Sequence, residues 1–196
     1  MNLYRWLIAA LWLVFFAYWA VSAIGVKRSI GGRERRKAMM RLGVIMLITL
    51  AVRVSPLRHA LRSLETQIQN ATVVRIVGVA LCALGVALAV WARVHLDRNW
   101  GMPMSQKENP ELVTTGPYAY VRHPIYGGIL LAMLGSSIGA SVLWVIPLVL
   151  FGSYFAYSAR REEAFMISQF PDEYPAYMKR SSMLLPWPGR MHRNPD

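Results

Sequence analysis

Between Leu112 and Gly128 the chain reads LVTTGPYAYVRHPIYGG. Tyr118, Tyr120, Arg122, His123 and Tyr126 crowd into nine consecutive positions there. Phenol, imidazole and guanidinium groups set so close together can bind a charged ligand or move a proton. A second polar group, Arg160-Arg161-Glu162-Glu163, follows the last apolar run directly. Each cluster also has a plain structural reading. Aromatic rings collect at membrane interfaces, and ionisable residues there can simply anchor the solvated end of a helix. Gly116-Pro117 is a turn signal, and Pro124 stands where a helix begins. Whether the two clusters can meet depends on the elements that carry them.

Those elements are apolar. The chain has 196 residues, one domain's worth, of which 55% are hydrophobic and 16% charged; soluble domains carry about 25% charge. The first apolar run is Leu3 to Ile24, interrupted by Arg5 and Ser22. It is long enough for a bilayer core that takes about 20 helical residues. It is too long, and too rich in Trp12, Phe15, Phe16, Tyr18 and Trp19, for a cleaved leader, so it reads as a retained helix. The second run, Ala38 to Leu57, has Arg41 and Arg53 near its ends and an apolar centre from Leu42 to Val52. It reads as a short span with snorkelling arginines, or as a re-entrant helix. The third, Val73 to Trp91, contains Gly78, Gly85 and several alanines, residues that let membrane helices approach closely. The last runs from Ile125 to Ala159 without a charge, too long for one crossing of about 20 residues. Gly135-Ser136-Ser137 and Gly139-Ala140-Ser141 divide it into two joined helices, with Pro147 in the second. The expectation is an all-α integral membrane helical bundle of about five transmembrane helices. It forms one membrane domain, with N-terminal spans in residues 1–92 and a more polar half in 93–196.

The net charge of +12 does not point to nucleic acid. The cations lie between apolar runs, the pattern set by loops facing an anionic cytoplasmic leaflet. Lys27, Arg28, Arg33, Arg35, Arg36, Lys37 and Arg41, against Glu34 alone, make the first loop cytoplasmic and the N-terminus external. Five spans then return both Arg93 to His123 and the C-terminal tail to the cytoplasm. The loop with Arg53, Arg58, Arg62 and Arg75 goes against the charge rule. The reading is a multi-pass protein of a prokaryotic inner membrane. Phe165 to Tyr177 and Pro186-Trp187-Pro188 form a surface helix and tail, on the membrane or over a pocket.

Several chemistries find no support. The single cysteine, Cys82, sits in an apolar run, and His59, His95, His123 and His192 are scattered, so no metal site is expected. No dinucleotide glycine fingerprint, phosphate-binding loop, His-Glu-x-x-His helix or nucleophile elbow is present. The span centres hold almost no ionisable residues, which disfavours a transporter. No repeat is evident.

Taken together, the two polar clusters resemble the isoprenylcysteine carboxyl methyltransferase family, within the wider group of membrane phospholipid methyltransferase-like proteins. The resemblance rests on Leu112-Val113-Thr114-Thr115-Gly116-Pro117-Tyr118, then Val121-Arg122-His123-Pro124-x-Tyr126-x-Gly128. Glu162-Glu163, Phe170, Tyr174, Tyr177 and Leu185-Pro186 continue it. It covers roughly residues 93 to 187. The family implies S-adenosylmethionine as methyl donor in a cytoplasmic pocket formed by the C-terminal half. Leu112 and Val113 would contact the donor through their backbone. Tyr118, His123, Pro124 and Tyr126 would line it, and Glu162 would accept charge-assisted hydrogen bonds from its ammonium or ribose. Two positions depart from the family pattern. Pro110 replaces a histidine common in relatives, and Ser158 replaces an arginine that prenylcysteine-methylating relatives carry one turn before the glutamate. Arg160 and Arg161 are close, but two residues is a rotation of about 200° on a regular helix.

The implied function is methylation of a carboxylate on a lipophilic, isoprenylcysteine-like acceptor reached through the membrane lipids. A phospholipid-amine or small-thiol methyltransferase, or a non-enzymatic membrane assembly factor, are the alternatives. A carboxylate is already ionised at neutral pH and needs no base; Arg122, Arg160 or Arg161 would hold it. An amine or thiol would have to lose a proton, and His123 or Tyr126 would take part.

Overall fold

A computed structural model describes residues 3–22, 29–30, 32–54, 71–96, 106–107 and 111–186. Among the described residues there are six α-helices: α1 Leu3–Ser22, α2 Gly32–Val54, α3 Thr72–Leu96, α4 Pro124–Gly139, α5 Val145–Gln169 and α6 Glu173–Arg180. The class is all-α, as the run lengths predict. The one ladder among the described residues is a two-residue antiparallel pair, Ser29–Ile30 with Gln106–Lys107, which joins two loops through their backbones. Lys27, Arg28, Arg58, Arg62 and the tail from Trp187 onward lie outside the described residues.

Among the described residues, three helical stretches are long and apolar enough to cross a membrane: Leu3–Ser22, Thr72–Leu96 and Val142–Gln169. Two of the five expected spans are shorter, the apolar Met39–Val52 within α2 and Pro124–Gly139. α2 also starts earlier than its apolar run, at Gly32, so its first turns are built from the basic residues of the loop.

The centre of the bundle is the antiparallel pair α3 and α4, and its closeness is written in small residues. Gly78, Cys82, Gly85 and Ala89 of α3 meet Gly139, Gly135, Ala132 and Gly128 of α4 in that order. A Cβ added at Gly78 would overlap the backbone of Gly139, and one at Gly85 the backbone of Ala132. In lipid, where helices gain nothing from expelling water, such backbone approach supplies the packing that holds them. α1 lies across this pair with Ile8, Trp12 and Phe15 buried. Trp12 Nε1 donates to Ser136 Oγ at 3.0 Å, and Arg5 Nε to the Ala140 carbonyl at 2.8 Å. Arg93, buried at the far end of α3, donates to the Ser22 carbonyl at the end of α1.

The small polar cluster at the end of α4 does break the long apolar region, as its composition predicts. α4 stops at Gly139, Ser141 Oγ accepts from Leu143 N, and a 3₁₀ turn over Val142–Trp144 leads into α5. Pro147 falls in the first turn of α5, where its missing N–H costs no hydrogen bond. α5 then runs 25 residues without another proline and ends in the Arg160–Glu163 quartet and its last two turns.

Candidate functional site

The polar clusters meet where α4 begins and α5 ends. A 3₁₀ turn over Gly116–Ala119 leads into the site. Gly116 has φ +57°, a left-handed conformation, and the His95 ring occupies the space a Cβ there would fill; glycine is needed on both counts. Val121 then pairs in parallel with Ser182. Arg122 N donates to Ser182 O at 2.8 Å, Ser182 N to Tyr120 O at 3.0 Å, and His123 N to Met183 O at 3.0 Å. The C-terminal segment is thereby clasped to the entrance of α4. His123 caps α4 and the fully buried Pro124 opens it.

Two adjacent carboxylates of α5 occupy different environments. Successive helical residues point about 100° apart. Glu163 turns inward: its Oε1 lies 2.7 Å from Arg122 Nε, and the side chains are 7% and 4% exposed. Arg122 Nη1 also donates to the carbonyls of Ser181 and Met178. One guanidinium thus joins the start of α4, the end of α5 and the end of α6. Glu162 keeps 26% of its side chain exposed. Its Oε1 accepts from Tyr126 Oη at 2.6 Å and from Ser158 Oγ at 3.1 Å.

His123 sits between the two carboxylates. Its Nδ1 is 3.5 Å from Glu162 Oε2 and its Nε2 3.3 Å from Glu163 Oε1. The second approach has ion-pair distance without hydrogen-bond geometry, so its contribution is Coulombic. Burial disfavours the imidazolium, but the hydrogen bond and charge of Glu162, together with the charge of Glu163, outweigh it, and the pKa rises above 6.5. Below it the His123 ring stacks on Tyr126 (5.5 Å, 3°), and Tyr126 on Phe155 (4.4 Å, 4°). Three near-parallel rings therefore form a column beside Glu162.

α6 closes the site from the other side. Its Tyr177 Oη donates to the Tyr118 carbonyl at 2.5 Å. Burial pushes the Tyr177 phenol up to about 12, against the lowering effect of Arg122. Burial likewise drives Tyr118 and Tyr174 well above the ordinary tyrosine range. All three phenols stay protonated at neutral pH.

Of the residues singled out in the sequence, Arg122, His123, Pro124, Tyr126 and Glu162 come together. Tyr118 is buried one step behind them, with Val113 packed against it and Ala92. Leu112 and Val113 are half-buried in the irregular strand that leads to Gly116. Arg160 and Arg161 are exposed and do not join the cluster. Four further residues do: Glu163 as the partner of Arg122, Ser158 and Phe155 on α5, and Ser181 in the tail. Ser158 and Phe155 stand four and seven residues before Glu162, so helical spacing alone places them on its flank. Among the described residues no group of three or more His, Cys, Asp or Glu is arranged to hold a metal.

The phospholipid methyltransferase family matches residues 73–173, which takes in nearly all of α3 and the motif residues up to Phe170, while Tyr174, Tyr177 and Leu185-Pro186 lie beyond it. A protein-S-isoprenylcysteine O-methyltransferase of Schizosaccharomyces pombe is 35% identical over 104 residues, 51% of this chain and 44% of that protein. The cobalt-zinc-cadmium resistance protein CzcN of Cupriavidus metallidurans is 34% identical over 105 residues, 53% of this chain and 46% of its own. A methanethiol S-methyltransferase 1 of Bradyrhizobium diazoefficiens is 33% identical over 87 residues, 40% of this chain and 27% of its own. The matched part is thus less than half the length of each of these relatives. With the match spanning α3 to the start of α6, and the clasped helix ends at its centre, this chain belongs to the phospholipid methyltransferase family.

Proposed function

We propose that this protein is an S-adenosylmethionine-dependent membrane methyltransferase acting on the carboxylate of a lipophilic, isoprenylcysteine-like acceptor. The site would open on the cytoplasmic side, with the N-terminus external. One observation carries the reading: Glu162, partly open, is held by Tyr126, Ser158 and His123 beside a column of flat rings. That donor set fits the cofactor. A carboxylate and aromatic faces both complement a ligand bearing cationic groups and an adenine ring. Leu112, Val113, Tyr118, His123, Pro124, Tyr126 and Glu162 would hold it. When bound, S-adenosylmethionine supplies an electrophilic methyl group on a cationic sulfur.

The side chains favour an acceptor that arrives ionised. Tyr126 already donates its hydroxyl hydrogen to Glu162. His123 is held toward its protonated form by two carboxylates. Both are engaged by carboxylates within the site, and a carboxylate acceptor needs no base. The chain's own contribution would be alignment and exclusion of water, which can remove several kcal/mol of barrier (about 7–11 at the upper end).

The test is binding of S-adenosylhomocysteine to the full chain in detergent, by calorimetry. Native protein should bind, and Glu162→Gln should lose affinity while melting at nearly the native temperature. No binding by native protein would overturn the enzyme reading in favour of a membrane assembly factor. An acceptor screen with labelled donor, comparing prenylcysteine analogues, phospholipid amines and small thiols, tests the acceptor.

A further inference from the structure

Residues 112–115 belong to no helix or strand and run straight into the turn at Gly116–Ala119. Backbone groups in such a stretch depend on the scaffold beside them for their position. The turn is gripped from two helices. From α6, Tyr177 Oη donates to the Tyr118 carbonyl. From α3, the His95 ring lies against Gly116, where an added Cβ would overlap its Cδ2 and Nε2.

The His95 ring is fixed although its side chain is exposed. Its Nδ1 donates to the Trp91 carbonyl, one turn earlier, at 3.0 Å. A carbonyl only accepts, so this nitrogen carries the hydrogen. The Trp91 ring stands edge-on to the imidazole, with 5.6 Å between centroids and 88° between planes. Nδ1 thus engages the backbone of α3 while the Cδ2–Nε2 edge faces Gly116. A basic side chain bonding a carbonyl near a helix end is ordinary. That bond does not account for a turn packed against the other edge of the ring, at a residue with φ +57° and no room for a side chain. Ala92, three residues before His95 and so on the same face of the helix, belongs to the cluster on which Val113 packs. The end of α3 therefore supports both the turn and the segment that leads to it.

We propose that His95 is a positioning residue for the methyl donor: its ring, held by the end of α3, sets the Gly116 turn and with it the backbone of Leu112 and Val113. This rests on the methyltransferase reading and deepens it. His95 itself would touch no reacting atom. Its effect would pass through the turn, and misplacement of binding groups by a fraction of an ångström weakens a ligand they must meet.

The experiment measures two things on the full chain in detergent: S-adenosylhomocysteine affinity by calorimetry, and amide hydrogen exchange without ligand. Tyr118 N donates to Thr115 O at 3.1 Å and Val121 N to Pro117 O at 3.2 Å, so these amides report on the turn. His95→Ala should speed their exchange several-fold and weaken S-adenosylhomocysteine by about threefold to tenfold, the size of an ordinary contact. It should melt near the native temperature, and exchange in the α3–α4 core around Cys82 and Gly135 should stay native. His95→Phe keeps a ring against Gly116 and gives up the bond to Trp91; it should retain most of the native affinity. His95→Asn keeps a donor for Trp91 and withdraws the ring; it should resemble His95→Ala, and it decides the matter if that variant fails to fold. Native exchange at the turn in both ringless variants overturns the proposal, and so does faster exchange with unchanged affinity. Weaker binding without faster exchange would make His95 a direct ligand contact instead. Faster exchange throughout α3 and α4 with a lower melting temperature would make it part of the scaffold, and a His95→Phe as weak as His95→Ala would rule out the ring contact. If native protein does not bind S-adenosylhomocysteine, the methyltransferase reading falls, and exchange at Tyr118 still judges whether His95 holds the turn.

Discussion

Arg122 Nε and Glu163 Oε1 stand 2.7 Å apart, enclosed by protein, while the next carboxylate along the helix, Glu162, remains partly open. Neighbours in sequence therefore do separate work. Glu163 neutralises the guanidinium that binds α4, α5 and α6 together. Glu162, held by Tyr126, Ser158 and His123, keeps an open side. The division follows from helix geometry, because consecutive side chains diverge by about 100°.

The enclosed pair should behave as a structural unit. Arg122→Gln or Glu163→Gln leaves one buried charge uncompensated, which costs about 3–5 kcal/mol. Each single variant should melt far below native protein in detergent. The double replacement Arg122→Met with Glu163→Leu should recover much of the loss, although the carbonyls of Ser181 and Met178 lose their donor. Arg122→Lys should be a poor substitute, since an ammonium cannot reproduce the planar fork that serves Glu163 and two carbonyls. Equal stability of native protein and all four variants would show that the pair is not structural.

Glu162 predicts the opposite pattern. The amide oxygen of Glu162→Gln can still accept from Tyr126 and Ser158, so weakening these bonds costs about 1 kcal/mol or less for each. The melting temperature of Glu162→Gln should move little, while S-adenosylhomocysteine affinity falls by a factor of about ten or more, the size of a lost charged contact. A fall in both, to the extent seen for Glu163→Gln, would place Glu162 in the scaffold instead.

His123 sets a pH dependence. Its pKa in the fold lies above 6.5, because two carboxylates outweigh the cost of burial. A group with a raised folded pKa stabilises fully below its unfolded value and loses that contribution as pH rises through the folded value. Thermal stability should therefore decline on the alkaline side, beginning near 6.5, as the imidazolium loses its proton. His123→Gln should flatten that part of the profile and lower stability mainly at the acid end. A native profile that rises across this window would contradict the arrangement of charges.

Much of the scaffold is legible in the order of residues. Run length identifies the long helices, and the Gly-Ser cluster at 135–141 marks the break between α4 and α5. The tight motif His123-Pro124-x-Tyr126 is local, so its residues had to be neighbours at a helix start. Other parts of the site are joined across long separations. Arg122 meets Glu163 across 41 residues and Ser181 across 59, and periodicity carries no information on such pairs. Arg160 and Arg161 looked eligible because they are close to Glu162 in sequence, yet helical rotation leaves them exposed. Ser158 stands between these cases: it is a departure from the family pattern by type, yet its spacing of four from Glu162 already placed it against that carboxylate.

The α3–α4 contact predicts a sharp contrast between glycines. At Gly78 an added methyl group would meet the backbone of Gly139, and at Gly85 that of Ala132. Backbone cannot rotate out of the way as a side chain can, so the two helices must part. Overpacking of this kind costs about 1–3 kcal/mol, and more where nothing relaxes. Gly78→Ala and Gly85→Ala should each lower the melting temperature in detergent, and Gly85→Leu should abolish the folded protein. Gly43 on α2 has nothing within 4 Å of an added Cβ. There the helix gains from alanine's greater intrinsic preference, up to about 1 kcal/mol. Gly43→Ala should therefore melt at or slightly above the native temperature. Similar behaviour of alanine at positions 43, 78 and 85 would mean that α3 and α4 do not pack backbone to backbone.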